Sequence, residues 1–364
     1  MRIVLLHFQP LEKYPPILNL IRDLERDDIE KVSVLSTNTS NNWFKSSIAL
    51  HRWGNLGSSK WIRYATYIIY NLFALCYLLI KRPSKVVYYE TLSCWSVYWY
   101  KKIRSNTKVF IHFHEYTSKE EKNRSSAYYK NLLAKEAYLL QKADWVSHTN
   151  EDRMRMFEKD YPFLQAAQCH IFPNYPPADW SVRAQQIRAN QAASDIIKLV
   201  YVGALGLQTT YIKELVEWIQ EQRGKYSLDI YTDNIEQEVT EFLQDINSSF
   251  IQLKAAIPYF DLPEVLAQYD IGMVLYKGVS LNHIYSVPNK VMEYLACGLQ
   301  VICTIELKSC FEFKKKNSLD VLYMIDFKNI NTIATIESNC IALNYNYRMT
   351  EHSELLKKIE INEE

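Results

Sequence analysis

Val287-Pro288-Asn289-Lys290-Val291-Met292-Glu293-Tyr294-Leu295-Ala296-Cys297-Gly298-Leu299-Gln300-Val301-Ile302 reads as a helix started by proline, stopped by glycine and followed at once by a buried strand. Pro288 suits the first helical position, where its missing N–H costs nothing, and Gly298 suits the left-handed position just past the end. A helix start offers N–H groups and a positive dipole end to an anion, and Lys290 adds a full charge. Glu293 lies three residues on, so it shares a face with Lys290 and can accept hydrogen bonds from hydroxyls beside that anion. A phosphate next to a diol is what a nucleotide-sugar presents. A surface ion pair at this spacing is common and worth little by itself. The proline start, the glycine stop and the apolar strand after them set this one apart.

Around this segment the chain alternates strand-like and helix-like stretches. Apolar, β-branched runs fall at Ile3–Phe8, Lys31–Leu35, Lys85–Tyr89, Lys108–Phe113, Asp144–His148 and Gln168–Phe172, with helical patterns between them. Asn174-Tyr175-Pro176-Pro177 and the polar stretch to Ser194 lack strand signals and read as a linker. A second series begins at Ile196–Val202 and runs through Ser227–Tyr231, Ile251–Leu253, Ile271–Leu275 and Gln300–Thr304. The pattern predicts an α/β protein: a first domain over 1–175, a linker over 176–195, a second domain over 196–345 and a helix over 346–364 that packs back across the hinge. Each domain is doubly wound, and ligands of such sheets bind beyond the carboxyl ends of the strands.

A chain of 364 residues has room for two such cores. Its 42 basic and 41 acidic residues give a net charge of +1, which offers no support for nucleic-acid binding. Seven scattered cysteines without a C-x-x-C pair fit reduced thiols, and no set of residues has metal-ligand spacing. The short apolar run after Met1-Arg2 reads as a first strand, so a cytoplasmic protein is expected. Of the eight glycines, six lie between Gly203 and Gly298, which concentrates glycine-permitted turns in the second half.

Residues 288–298, P-N-K-x-x-E-Y-x-A-x-G, resemble the donor-site signature of GT-B glycosyltransferases, specifically the retaining family 4-like group. The resemblance covers about 197–305 and is weak over the first domain. It implies two Rossmann-like domains facing each other across a cleft, the first for the acceptor and the second for the donor. The implied reaction moves a sugar from a UDP- or GDP-linked donor to an acceptor hydroxyl with retention, without metal or other cofactor. A glycan or lipid-linked acceptor of bacterial surface polysaccharide assembly is implied by the same analogy.

Carried over residue by residue, the resemblance has Glu293 hold the ribose hydroxyls and Lys290 the diphosphate, with backbone amides up to Asn289 facing phosphate or sugar. Gly203, in the turn Gly203-Ala204-Leu205-Gly206, would lie under the phosphates and Lys213 would match the family lysine. Ile257 is the nearest match to the residue that cups the base, and Tyr276, after D-I-G-M-V-L, could face the sugar. His112-Phe113-His114-Glu115 matches the segment placed beside the transferred sugar, with His114 and Glu115 the candidate catalytic pair. The chain departs from the family at Tyr285, where a glutamate is usual. Gln208, Thr209 and Thr210 stand where an arginine is expected, and Phe8-Gln9-Pro10 replaces a glycine-rich loop. Two rival readings are a nucleotide-sugar epimerase of the same fold and a non-catalytic binding subunit.

Trp61–Ile80 is the strongest apolar segment, uncharged from Tyr64 to Ile80. That length lies at the lower limit of a span of about 17–25 residues. Thr66, Asn71 and several tyrosines favour a helix packed beside a sheet, while Trp53, Lys60, Trp61 and Arg63 suit peripheral contact with an inner membrane face. Lys314-Lys315-Lys316 reads as solvated surface.

Overall fold

The structure, a computed structural model, describes residues 2–26, 31–57, 59–124, 126–191 and 194–332, together with 355, 357 and 358. It divides into two compact units, Met1–Asn174 and Tyr175–Tyr347, with Leu355 and Lys358 grouped with the first. Among the described residues the first unit holds β1 (Ile3–Pro10), β2 (Val32–Asn38), β3 (Ala49–Asn55), β4 (Lys85–Tyr89), β5 (Lys108–Phe113), β6 (Trp145–His148) and β7 (Cys169–Ile171). They lie in the order β3-β2-β1-β4-β5-β6-β7. The second unit holds β8 (Ile197–Val202), β9 (Tyr226–Thr232), β10 (Ile251–Ala255), β11 (Ile271–Val274), β12 (Gln300–Thr304) and β13 (Leu322–Ile325), in the order β10-β9-β8-β11-β12-β13.

The ladders are parallel throughout. Parallel neighbours are usually joined by helical crossovers, though β2 and β3 are joined by a loop, and the helices cover both sheet faces and explain why β4 and β11 are buried along their whole length. The strand order reverses between β1 and β4, and again between β8 and β11. Loops leaving the two strands at such a switch diverge, so a crevice opens beyond their carboxyl ends. Both units are therefore the doubly wound, Rossmann-like α/β domains that the alternation of apolar runs predicts.

Several elements were not evident in the sequence. Edge strand β3 carries His51, Arg52 and Gly54 instead of an apolar run, and long-range partners hold it. Arg52 pairs with Glu12 at 2.8 Å, and His51 lies 3.1 Å from the Tyr77 hydroxyl. The stretch read as a linker contains the helix Asp179–Arg188, which belongs to the second unit: Arg183 clamps Glu264 and Arg188 donates to the Tyr269 carbonyl at 2.6 Å. The helix expected over 346–364 lies outside the described residues, apart from 355, 357 and 358.

The helix Lys60–Lys81 packs an inner stripe of Tyr67, Tyr70, Ala74, Tyr77 and Leu78 into the first core, and the Tyr70 hydroxyl donates to the Leu35 carbonyl at 3.0 Å. Its other face stays exposed, including Trp61, Ile69, Leu72 and Ile80.

Candidate functional site

In the second unit the chemistry gathers at the β8/β11 switch. The decisive helix spans Asn289–Ala296, with Pro288 as its cap residue one position before the first helical turn, so the proline precedes the helix instead of opening it. Gly298 takes the expected left-handed φ of +76°, which ends the helix and turns the chain into β12. Two contacts of Tyr294 fix the helix. Its ring lies against Gly272 of β11, where an added Cβ would stand 2.2 Å away, and its hydroxyl accepts from the Val202 amide at 3.0 Å. One side chain thus pins the helix to both switch strands, at Gly272 within β11 and at Val202, the last residue of β8.

That anchoring presents Lys290 and Glu293 together. The Lys290 ammonium hydrogen-bonds Glu293 Oε2, and Glu293 is only 1% exposed. Its other oxygen, Oε1, is buried with no partner among the described residues. Removing a carboxylate oxygen from water without a partner is costly, so Oε1 keeps unused capacity to accept a hydrogen bond. Tyr276 stands close by: burial, and then the Glu293 charge, push its hydroxyl up to about 12. Its ring stacks on His283 with centroids 6.1 Å apart.

Gly203 has φ +149°, a conformation side chains rarely adopt, and a Cβ there would approach the Tyr201 and Tyr276 hydroxyls at 3.4 and 3.5 Å. Glycine keeps this turn open directly under Tyr276. Asn289 is half-buried at the helix start. Lys213 is elsewhere: it is exposed, its ammonium 3.9 Å from Glu217 on the outer side of its own helix. A cation that does reach the β8 turn is Lys277, whose Nζ donates to the Leu207 carbonyl at 2.9 Å, pairs with Glu214 at 3.3 Å and lies 4.8 Å from the Tyr211 ring centroid. Its position one residue after Tyr276 was the available signal. Ile257 is half-buried in the loop after edge strand β10, and the described contacts do not join it to the Lys290–Glu293 group.

In the first unit a cavity of about 240 Å³ opens beyond β1 and β4, lined by His7, Tyr14, Glu90, Glu115, Lys122 and His148 among others. His114 follows β5 and is held from three sides. Its Nδ1 meets the Asn174 amide at 2.6 Å, its N–H donates to Glu90 at 2.6 Å, and its carbonyl accepts from Arg153 at 2.6 Å. Burial, then the Arg153 charge, lower its pKa to about 3, so the ring is neutral at ordinary pH. Glu115 stands exposed at the rim. His112 is buried between Tyr89 and Phe172 with Nδ1 on Ser147 at 2.9 Å, a core position.

Sequence reasoning missed Glu90. It follows the last residue of β4 and accepts from the amides of His114 and Glu115, at 2.6 and 3.1 Å. Burial nonetheless outweighs those bonds and raises its pKa to about 7. Its φ of +62° and ψ of 155° fall in a region that is essentially glycine's alone, at a cost of about 1–3 kcal/mol. A carboxylate directly after a fully buried switch strand was the sequence signal. The Tyr89 hydroxyl and both His148 ring nitrogens add buried polar atoms without partners among the described residues to the same lining.

No family model matches the sequence, and no curated protein matches it. Solved structures do match in fold. The HepE protein of Anabaena in complex with UDP and glucose gives a TM-score of 0.64 at 10% identity, over 98% of this chain and 95% of that one. Sucrose-phosphate synthase from Thermosynechococcus elongatus gives 0.59 at 14% identity, over 97% and 90%. The UDP-GlcNAc 2-epimerase of Methanocaldococcus jannaschii gives 0.57 at 11%, over 98% of each chain. At such identities the shared property is the fold, and it is the GT-B fold.

Proposed function

We propose that this chain is a GT-B glycosyltransferase of the retaining, family 4-like kind, moving a hexosyl group from a nucleotide diphosphate-sugar to an acceptor hydroxyl. The observation that carries the reading is the ion pair of half-buried Lys290 with buried Glu293, with one Glu293 oxygen unpartnered among the described residues, on a helix pinned at a switch point. A ribose diol would satisfy Oε1, and the donor diphosphate would draw the Lys290 ammonium from Glu293. Charge on the departing diphosphate then falls on Lys290 and the helix start, which does without metal what a divalent cation does elsewhere. The ligands of HepE make UDP the first base to test.

The first-unit cavity supplies the acceptor half. Its unpartnered hydroxyl and imidazole nitrogens suit a hydroxyl-rich ligand. Neutral His114 precedes the rim residue Glu115 and stands with it as the candidate pair beside the transferred sugar, and Glu90, which lines the cavity and titrates near neutrality, is suited to accept the acceptor's proton. The ligand set is that of a glycan, and surface polysaccharide assembly in the cytoplasm is the setting we infer.

The test is product analysis. Nucleotide-sugars are incubated with the enzyme with and without glycan acceptors, and products are separated and their anomeric configuration read by NMR. We expect acceptor-dependent release of nucleoside diphosphate and a retained linkage. Accumulation of an epimerised free nucleotide-sugar would instead assign the chain to the epimerases of this fold, and binding without any turnover would make it a binding subunit.

A further inference from the structure

We infer that the outer face of the helix Lys60–Lys81 is a docking surface for an anionic lipid bilayer, along whose surface the helix lies. The inference stands apart from the sugar chemistry. Trp61 is 80% exposed, Ile80 75%, and Ile62, Ile69 and Leu72 about half, so the apolar face runs from one end of the helix to the other. Trp53 of β3 extends it, stacked on Phe73 at 4.2 Å, and Trp99 and Ile103 are exposed on the helix Cys94–Ile103 packed alongside. Soluble monomers seldom leave an apolar surface of this extent uncovered.

Charge selects the occupant. Between residues 53 and 107 the chain carries eight basic residues and one acidic residue, within a whole that holds 42 and 41. Lys60 and Arg63 are exposed at one end of the helix, Lys81 and Arg82 at the other, and Lys102 and Arg104 close the adjoining helix. The one acid, Glu90, lines the cavity instead of this face. Anionic headgroups match that rim, whereas a second copy related by a twofold axis would set these cations against themselves. Crossing the bilayer is a different matter: the Tyr70 and Thr66 hydroxyls are tied to the carbonyls of Leu35 and Asn55, and the inner stripe belongs to the core. The helix therefore lies in the interfacial plane, apolar face down.

The full chain is tested by flotation with phosphatidylcholine vesicles, with and without one part in about three of phosphatidylglycerol, at low and high salt. We expect recovery with the anionic vesicles to exceed that with neutral ones by about tenfold and to fall with salt. Ile69→Glu with Leu72→Glu should abolish recovery, and Lys60→Glu with Arg63→Glu should reduce it about tenfold, both variants keeping the wild-type far-UV circular dichroism. The inference is overturned if wild type stays in solution with both vesicles, or if the Ile69→Glu/Leu72→Glu variant binds as well as wild type. A wild-type dimer in sedimentation velocity that this variant makes monomeric would give the face to a second copy.

Discussion

Glu90 joins an unusual backbone geometry to an unusual protonation state, and both predict. Its folded pKa of about 7 lies above the ordinary 4.5, so the folded state holds that proton more tightly than the unfolded chain. Stability drawn from this group is full below about 4.5 and is lost as pH rises through about 7, by at most about 3 kcal/mol. Glu90→Gln should lack that slope, as urea titrations at pH 5 and pH 8 would reveal. The pH–rate profile of transfer should likewise lose a limb near pH 7 in this variant. Glu90→Gly relieves the backbone strain while removing two accepted hydrogen bonds, terms of similar size. We expect a near-unchanged midpoint with transfer down at least about a hundredfold; an active Glu90→Gly would remove Glu90 from the chemistry.

At the scale of the element, the donor helix depends on Tyr294. Tyr294→Phe leaves the half-buried Val202 amide without its acceptor, and Gly272→Ala drives a methyl into the ring. Each should destabilise by about 1–3 kcal/mol and weaken nucleotide binding severalfold, although neither is placed to touch the nucleotide. Normal affinity in a destabilised Gly272→Ala would show that helix position does not govern the site. This helix was legible because its signals are local: proline, glycine and an apolar strand in sequence. The central strands were legible for the same reason, their apolar runs being continuous. Edge strand β3 was not, since long-range pairs such as Arg52–Glu12 hold it. Lys277 went unread because spacing along the chain does not tell which loop folds back over the β8 turn, and Glu90 was passed over because its backbone angle cannot be read from residue type.

Over the whole molecule, two separately cored units imply that a nucleotide protects one of them. Hydrogen exchange with and without UDP should show slowed amides around 201–211, 274–278 and 287–294, with the first-unit sheet unchanged. Uniform protection of both sheets would mean that the nucleotide does not act through the second unit alone. The central claim, that Glu293 and Lys290 form the donor site, is tested most directly by titration calorimetry of UDP into wild type, Glu293→Gln and Lys290→Met. Loss of a charge-assisted hydrogen bond costs about 1.5–3 kcal/mol, or about ten- to a hundredfold in affinity. We predict measurable binding to wild type and a loss of that size in both variants, with folding intact. Equal binding of UDP by wild type and Glu293→Gln would contradict the account.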